Sequence, residues 1–253
     1  MSFPAPTREW FRDWFGEEYL ALYPHRDKRE AEQAVNLLRR VAPVVDGPVL
    51  DLACGAGRHL RALRQAGFEA VGLDLSMTLL RSARAANPDS PVVRGDMREL
   101  PFRNASFRGV TSFFTSFGYF SDPRDDRHVV REMHRVMAPG SFFMLDFMNA
   151  QRVRRELVRT DTRAIDGGHI VQEREIIDGV VVKRIHVERD GLDTRTFEER
   201  VRLYSCSELA DLLRSENLEA EHRFGDYLGS PYDHESPRLI LSGRTPIGGV
   251  AAA

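Results

Sequence analysis

The run Val49-Leu50-Asp51-Leu52-Ala53-Cys54-Gly55-Ala56-Gly57-Arg58-His59-Leu60 carries an apolar stretch into a paired-glycine turn and then into a helical pattern. Glycine at 55 and 57 opens backbone angles closed to other residues and lets a ligand come close to the main chain. The amides at a helix start attract an anionic or polar group. A second apolar stretch, Val71-Gly72-Leu73-Asp74-Leu75-Ser76, ends in an acid. A carboxylate at that strand end can accept two hydrogen bonds from ribose hydroxyls. A third acid, in Arg94-Gly95-Asp96-Met97, can accept from an adenine amino group while its neighbour's backbone meets the ring edge.

The acid at the second strand end serves nicotinamide dinucleotides and S-adenosylmethionine alike. The dinucleotide pattern G-x-G-x-x-G needs a third small residue for close helix–strand packing. Leu60 stands in that position, which weakens a pyrophosphate reading. Cys54 reads as a small residue tolerated in a tight turn, and His59 as a residue facing solvent or packed on the first helix.

These residues need an alternating frame to hold them. Residues 1–46 read as a helical extension, with Trp10, Phe11, Trp14, Phe15, Tyr19 and Tyr23 at roughly helical spacing and a second helix over Lys28–Arg40. Strands are expected at 49–52, 69–74, 91–95, 107–114 and 142–147. Helices are expected at 58–65, after the Ser76 cap, and after Asp122-Pro123, the last stopped by Pro139-Gly140. Strands alternating with helices imply a mostly parallel sheet covered on both faces. The pattern then changes. His169–Ile177 and Val180–Arg189 flank Asp178-Gly179, a two-residue hairpin signal, and Thr196–Tyr204 adds a strand. Ser205 and Glu208 fit a capping box for a further helix, and 218–224 and 238–242 read as the last strands.

The expected fold is α/β: a doubly wound, seven-stranded, mostly parallel sheet with an antiparallel last strand, an N-terminal helical extension and an inserted antiparallel β flap. The expected division is a helical lid over 1–46, a main domain over 47–159 and 205–245, the insertion over 160–204 and a disordered tail over 246–253.

Bulk properties bound the partners. The chain has 253 residues and a net charge of −2, with no basic tract, which argues against nucleic acid. No apolar run approaches the ~20 residues that span a bilayer. No export signal is visible at the N-terminus, so a cytoplasmic setting is expected. The two cysteines, Cys54 and Cys206, make neither a disulfide framework nor a metal site. Lys28 and Lys183 are the only lysines. His128 and His134, six apart, are wrongly spaced for a metal pair. No histidine sits in a telling motif, and the general base cannot be read from the sequence.

The chain resembles the class I S-adenosylmethionine-dependent methyltransferases of small-molecule type. The resemblance covers about residues 48–150 and 205–243. It rests on Leu50-Asp51-Leu52-Ala53-Cys54-Gly55-Ala56-Gly57, Gly72-Leu73-Asp74-Leu75-Ser76, Gly95-Asp96-Met97 with Leu100-Pro101-Phe102, and Met137-Ala138-Pro139-Gly140-Ser141, in that order. It implies that Asp51 and the Gly55–Gly57 loop, with Ala53, meet the methionine end of the cofactor. Asp74 with Leu75 would hold the ribose, and Asp96 with Met97 the adenine. Thr115 to Tyr119 would border the methyl group, Tyr119 offering its ring or oxygen to a positive sulfur. Tyr19, Tyr23 and Arg26 would be lid residues, Arg26 facing the cofactor carboxylate. Phe107-Arg108 stands where many relatives have Phe-Asp, and no Asn-Pro-Pro-Tyr motif follows strand four. The expected reaction is in-line methyl transfer to an O or N atom of a small molecule, with no metal and with a homodimer possible. The rival readings are a nicotinamide-dependent oxidoreductase, a cofactor-binding protein without activity, and altered chemistry on the same cofactor.

Overall fold

The structure, a computed structural model, describes residues 9–23, 28–42 and 46–247. The expected disorder after residue 247 therefore lies outside the described residues, as does Arg26. The aromatic stripe does not form one helix. Gly16, in an extended conformation, breaks it into α1 (Trp10–Trp14) and α2 (Glu17–Leu22), and α3 (Lys28–Val41) follows.

From there strand and helix alternate: β1 (Pro48–Leu52), α4 (Arg58–Gln65), β2 (Glu69–Asp74), α5 (Met77–Ala86), β3 (Val92–Arg94), β4 (Phe107–Ser112), α6 (Pro123–Val136) and β5 (Met137–Met148). Ser76 caps α5 through its hydroxyl, 3.2 Å from the Leu79 amide. Asp122 caps α6, with Pro123 at its first position. Pro139-Gly140 does not end α6 as expected. The helix stops at Val136, and those two residues lie inside β5, where Gly140 takes φ +73°. After α7 (Ala150–Glu156) come β6 (Thr160–Ile165), β7 (Gly168–Ile177), β8 (Val180–Arg189) and β9 (Arg195–Arg202), then α8 (Cys206–Ser215), β10 (Glu219–Phe224) and β11 (Arg238–Arg244).

Seven strands form one sheet in the order β10-β11-β5-β4-β1-β2-β3. The pairs β1–β2, β1–β4, β2–β3 and β4–β5 are parallel, and β11 runs antiparallel to both β5 and β10. Side chains leave the strands on alternate faces. Leu50 and Leu52 of β1, with Phe143 and Leu145 of β5, pack under α6 and α8. Val49, Phe142 and Met144 pack under α3 and α4 on the other face. Chain order reverses between β1 and β4, so the loops after those strands diverge and leave a crevice at their carboxyl ends.

The insertion is a four-stranded antiparallel sheet in the order β6-β7-β8-β9, in which β6 is a strand the sequence pattern did not announce. Asp178 and Gly179 both take positive φ, +48° and +76°, as a type I′ hairpin requires. Trp14, Tyr19 and Leu22 of the N-terminal helices pack with Ile170, Ile185 and Val187 of this sheet. Glu18, itself buried, receives Arg189 and Arg195 from it.

Candidate functional site

A cavity of about 640 Å³ opens at the crevice between β1 and β4. Three walls meet there: the turns after β1, β2 and β3; the turn after β4; and a cover made by α1, α2 and β9.

The first wall is built from backbone. Ala53 and Gly55 both take left-handed angles, φ +57° and +55°. A Cβ added at Gly55 would meet nothing nearer than Leu79 Cδ1 at 4.0 Å, so glycine there serves conformation and leaves the main chain open. Asp74, 8% exposed, fixes the turn: the Gly55 amide donates to Oδ2 and the Ser76 amide to Oδ1, each at 2.8 Å. Burial raises its carboxyl pKa, opposed by these amide bonds. Each oxygen keeps a second lone pair, and the side chain lines the cavity. Asp96 and Met97 lie on the same wall. Burial works to raise the Asp96 pKa, but the Arg98 guanidinium and amide outweigh it and hold the carboxyl low. Arg98 also bonds Glu9, tying the N-terminal segment to this end of the cavity.

The second wall is strained. Phe114 and Thr115 take φ +61° and +59°, unusual for residues with side chains, and Gly118 takes +79°. Such a turn persists only where its surroundings over-determine it. Asp146 of β5, fully buried, does this: its Oδ2 accepts from the Phe114 amide at 2.7 Å and its carbonyl from the Thr115 amide at 2.9 Å. The same carboxylate receives Tyr227 Oη and the Arg238 guanidinium. Arg238 lines the cavity.

The third wall is aromatic. Tyr119 stacks on Phe15 (ring centroids 5.9 Å, 25° between planes) and meets Trp10 edge-on at 4.9 Å. Tyr19 and Tyr23 extend the row, with centroids 5.3 Å apart. Glu199 of β9, in the insertion, also lines the cavity.

Residues 49–140 match the family model described as a methyltransferase domain. That stretch, 92 of the 253 residues, is similar to methyltransferase domains. A dTDP-3-amino-3,6-dideoxy-alpha-D-glucopyranose N,N-dimethyltransferase of Streptomyces fradiae is 40% identical over 93 residues, 37% of this chain and 36% of that protein. An uncharacterised protein of Methanocaldococcus jannaschii is 26% identical over 88% of this chain and 81% of its own length. The fold is shared with an S-adenosylmethionine-dependent methyltransferase of Clostridium acetobutylicum, at TM-score 0.77 and 18% identity over 90% of this chain and 98% of that one. The match to the S. fradiae enzyme thus spans about a third of its length.

The walls fit S-adenosylmethionine, the cofactor named for the C. acetobutylicum enzyme that shares this fold. The open Gly55 backbone, the exposed edge of Asp74 and the Asp96-Met97 pair stand in series along one side. Of the residues expected from the sequence, Ala53, Gly55, Asp74, Leu75, Asp96, Met97, Thr115, Tyr23 and Tyr119 all line the cavity. Asp51 and Gly57 do not. Asp51 lies within β1, 1% exposed, and its Oδ2 has no hydrogen-bond partner among the described residues. Burial and the neighbouring Asp74 charge push its pKa up to about 8. An ammonium group at the adjacent loop would relieve both effects. Gly57 is the N-cap of α4 at φ +80°, where a Cβ would come within 2.9 Å of Asn87 Nδ2.

Other residues in and behind the site carried no clear signal in the sequence, with one exception. Tyr227 belongs to the polar–aromatic segment Asp226, Tyr227, Tyr232, Asp233 and His234, which reads as a solvated loop or as a loop reaching the substrate pocket. His59 does not face solvent. It is buried on the inner side of α4, stacks on Phe113 (4.6 Å, 23°) and lines the cavity. Asp146, Tyr227 and Arg238 come together only because β11 pairs with β5, with Arg238 opposite Met148, a register no local pattern encodes. Cys54 also lines the cavity, and burial raises its thiol pKa well above the usual value. It is a small residue fitted against Gly72, as its position in a tight turn suggested.

Proposed function

We propose that the protein transfers a methyl group from S-adenosylmethionine to an oxygen or nitrogen atom of a small molecule by in-line displacement. When bound, that cofactor supplies an electrophilic methyl on a sulfonium, whose departure as a neutral thioether is already easy. The work left to the chain is to bind, align and exclude water. Asp74 and Leu75 hold the ribose, Asp96 and Met97 the adenine, and Ala53 and Gly55 the methionine end, with Asp51 acting from behind the turn. Thr115 and Tyr119 border the reacting centre, where the face of Tyr119 suits positive charge.

The observation that carries this reading is one cavity shared by two kinds of wall. Backbone and carboxylates line the side contributed by β1, β2 and β3, and aromatic rings from α1 and α2 cover the other. A covered, mostly apolar space of this size can hold a small acceptor beside the cofactor. The S. fradiae relative, named for methylating an amino sugar, points the same way.

The test is release of S-adenosylhomocysteine by the purified protein with S-adenosylmethionine and a panel of amines, amino sugars, phenols and carboxylic acids. Stimulated release with one class, and the mass of its product raised by one methyl group, supports the proposal. Tight cofactor binding with no acceptor-dependent release across the panel would favour a binding protein without transferase activity.

A further inference from the structure

Glu199 is the one carboxylate on the covered side of the cavity among the described residues, since Asp74 and Asp96 belong to the opposite wall. It comes from the insertion, on β9, and its side chain is 20% exposed. Two donors hold it from outside: Trp14 Nε1 at 2.6 Å from Oε1, and Lys183 Nζ at 3.3 Å from Oε2. One bond to each oxygen leaves each a second acceptor direction.

The surroundings of that carboxylate suit a cation. Lys183 Nζ lies 3.0 Å from Tyr23 Oη and 5.4 Å from the Tyr23 ring centroid, so an ammonium already occupies the outer side of this corner. The inner side presents the rings of Tyr19, Tyr23, Phe15 and Tyr119. Aromatic faces and a carboxylate together favour ammonium over any neutral or anionic group. The two cationic side chains that line the same cavity are already matched, Arg58 by Glu30 at 2.8 Å and Arg238 by Asp146. Glu199 also stands, with Met148 and Val201, in the wall common to this cavity and a neighbouring one of about 620 Å³ bounded by α7 and β8.

We infer that the methyl acceptor is an amine that enters as its ammonium ion and that Glu199 is the residue that positions its nitrogen against the aromatic wall. The nitrogen gives one proton to solvent and keeps a hydrogen bond to the Glu199 carboxylate. Its freed lone pair takes the methyl carbon as the carbon–sulfur bond breaks and the sulfur leaves as a neutral thioether. This rests on the methyltransferase reading and narrows it from oxygen or nitrogen to nitrogen.

The test is calorimetric titration of the full-length protein, saturated with S-adenosylhomocysteine, with 2-phenylethylamine and with phenylacetate. The two share a ring and differ in charge. The amine is expected to bind at least about ten-fold more tightly than the acid. Glu199→Gln should weaken amine binding about ten-fold or more while S-adenosylhomocysteine affinity stays within about two-fold. Lys183→Met removes the competing cation and should tighten amine binding. A merely structural Glu199–Lys183 pair predicts instead that both substitutions weaken it. Equal binding of amine and acid, no amine binding, amine binding unchanged in Glu199→Gln, or amine binding weakened by both substitutions would overturn the inference. Failure of the unmodified protein to bind S-adenosylhomocysteine would instead overturn the reading beneath it.

Discussion

Asp74 is the residue on which the cofactor side turns, because one carboxylate both shapes the glycine turn and faces the cavity. Asp74→Ala removes the ribose acceptors and the anchor of the Gly55 amide. We expect S-adenosylhomocysteine affinity to fall by ~1–3 kcal/mol, read by calorimetry, the cost of losing buried hydrogen bonds. Asp51 makes a different prediction, about pH. Its carboxyl keeps a proton up to about pH 8 in the folded protein but loses it near pH 4 when unfolded. The unfolded state therefore binds fewer protons in between. Stability should fall as pH rises from about 4 to 8, by at most about 1.4 kcal/mol per unit, and level off above. Urea denaturation at intervals across that range should show the slope, and Asp51→Asn should flatten it. An Asp51→Asn variant with the same pH slope would remove Asp51 as its source.

At the scale of elements, the turn after β4 is held in a costly conformation by β5 and β11. Arg238→Met leaves the carboxylate of Asp146, fully buried, without its cation. Breaking a buried pair from one side costs about 3–5 kcal/mol, and thermal unfolding should register a loss of that order. Unchanged stability would mean that Asp146 does not depend on Arg238. The lid depends on the insertion in a similar way. Glu18 of α2 joins Arg189 and Arg195, and these bonds hold its carboxyl pKa below the usual range. Both arginines are solvent-accessible, so Glu18→Ala should cost only about 1–2 kcal/mol. It should weaken cofactor binding as well, because α1 and α2 close the cavity. Stability loss with unaltered S-adenosylhomocysteine affinity would separate the lid from the site.

At the scale of the molecule, what was legible in the sequence was what local chemistry dictates. Gly55, Asp74 and the caps at Ser76 and Asp122 announce themselves through backbone needs that few residues meet. The hairpin at Asp178-Gly179 does the same, and strand–helix alternation implies the parallel sheet. Legibility fails where long-range packing decides. Leu60 weakened the dinucleotide reading because it is not small. In the fold, the close approach is provided by the partner strand, where a Cβ on Gly72 would fall 3.0 Å from Leu60 and 2.7 Å from the Cys54 sulfur. Pro139-Gly140 looks like a helix stop, yet Met137 pairs with Phe107 and Phe142 with Gly109 of β4, so the segment lies in an irregular stretch inside β5. Asp146, Tyr227 and Arg238 are scattered over 93 positions, and Glu199 sits on an inserted strand whose side-chain pattern reads as a sheet face. Of these, Arg238 and Glu199 line the cavity, and neither could be assigned to it before the register was known.

The central claim is that this cavity binds S-adenosylmethionine through the turns after β1, β2 and β3. Calorimetric titration with S-adenosylhomocysteine and, separately, with NAD tests it most directly. The account predicts a single saturable site for S-adenosylhomocysteine, weakened in Asp74→Ala, and no heat of binding with NAD. Binding of NAD alone, or S-adenosylhomocysteine affinity unaffected by Asp74→Ala, would contradict it.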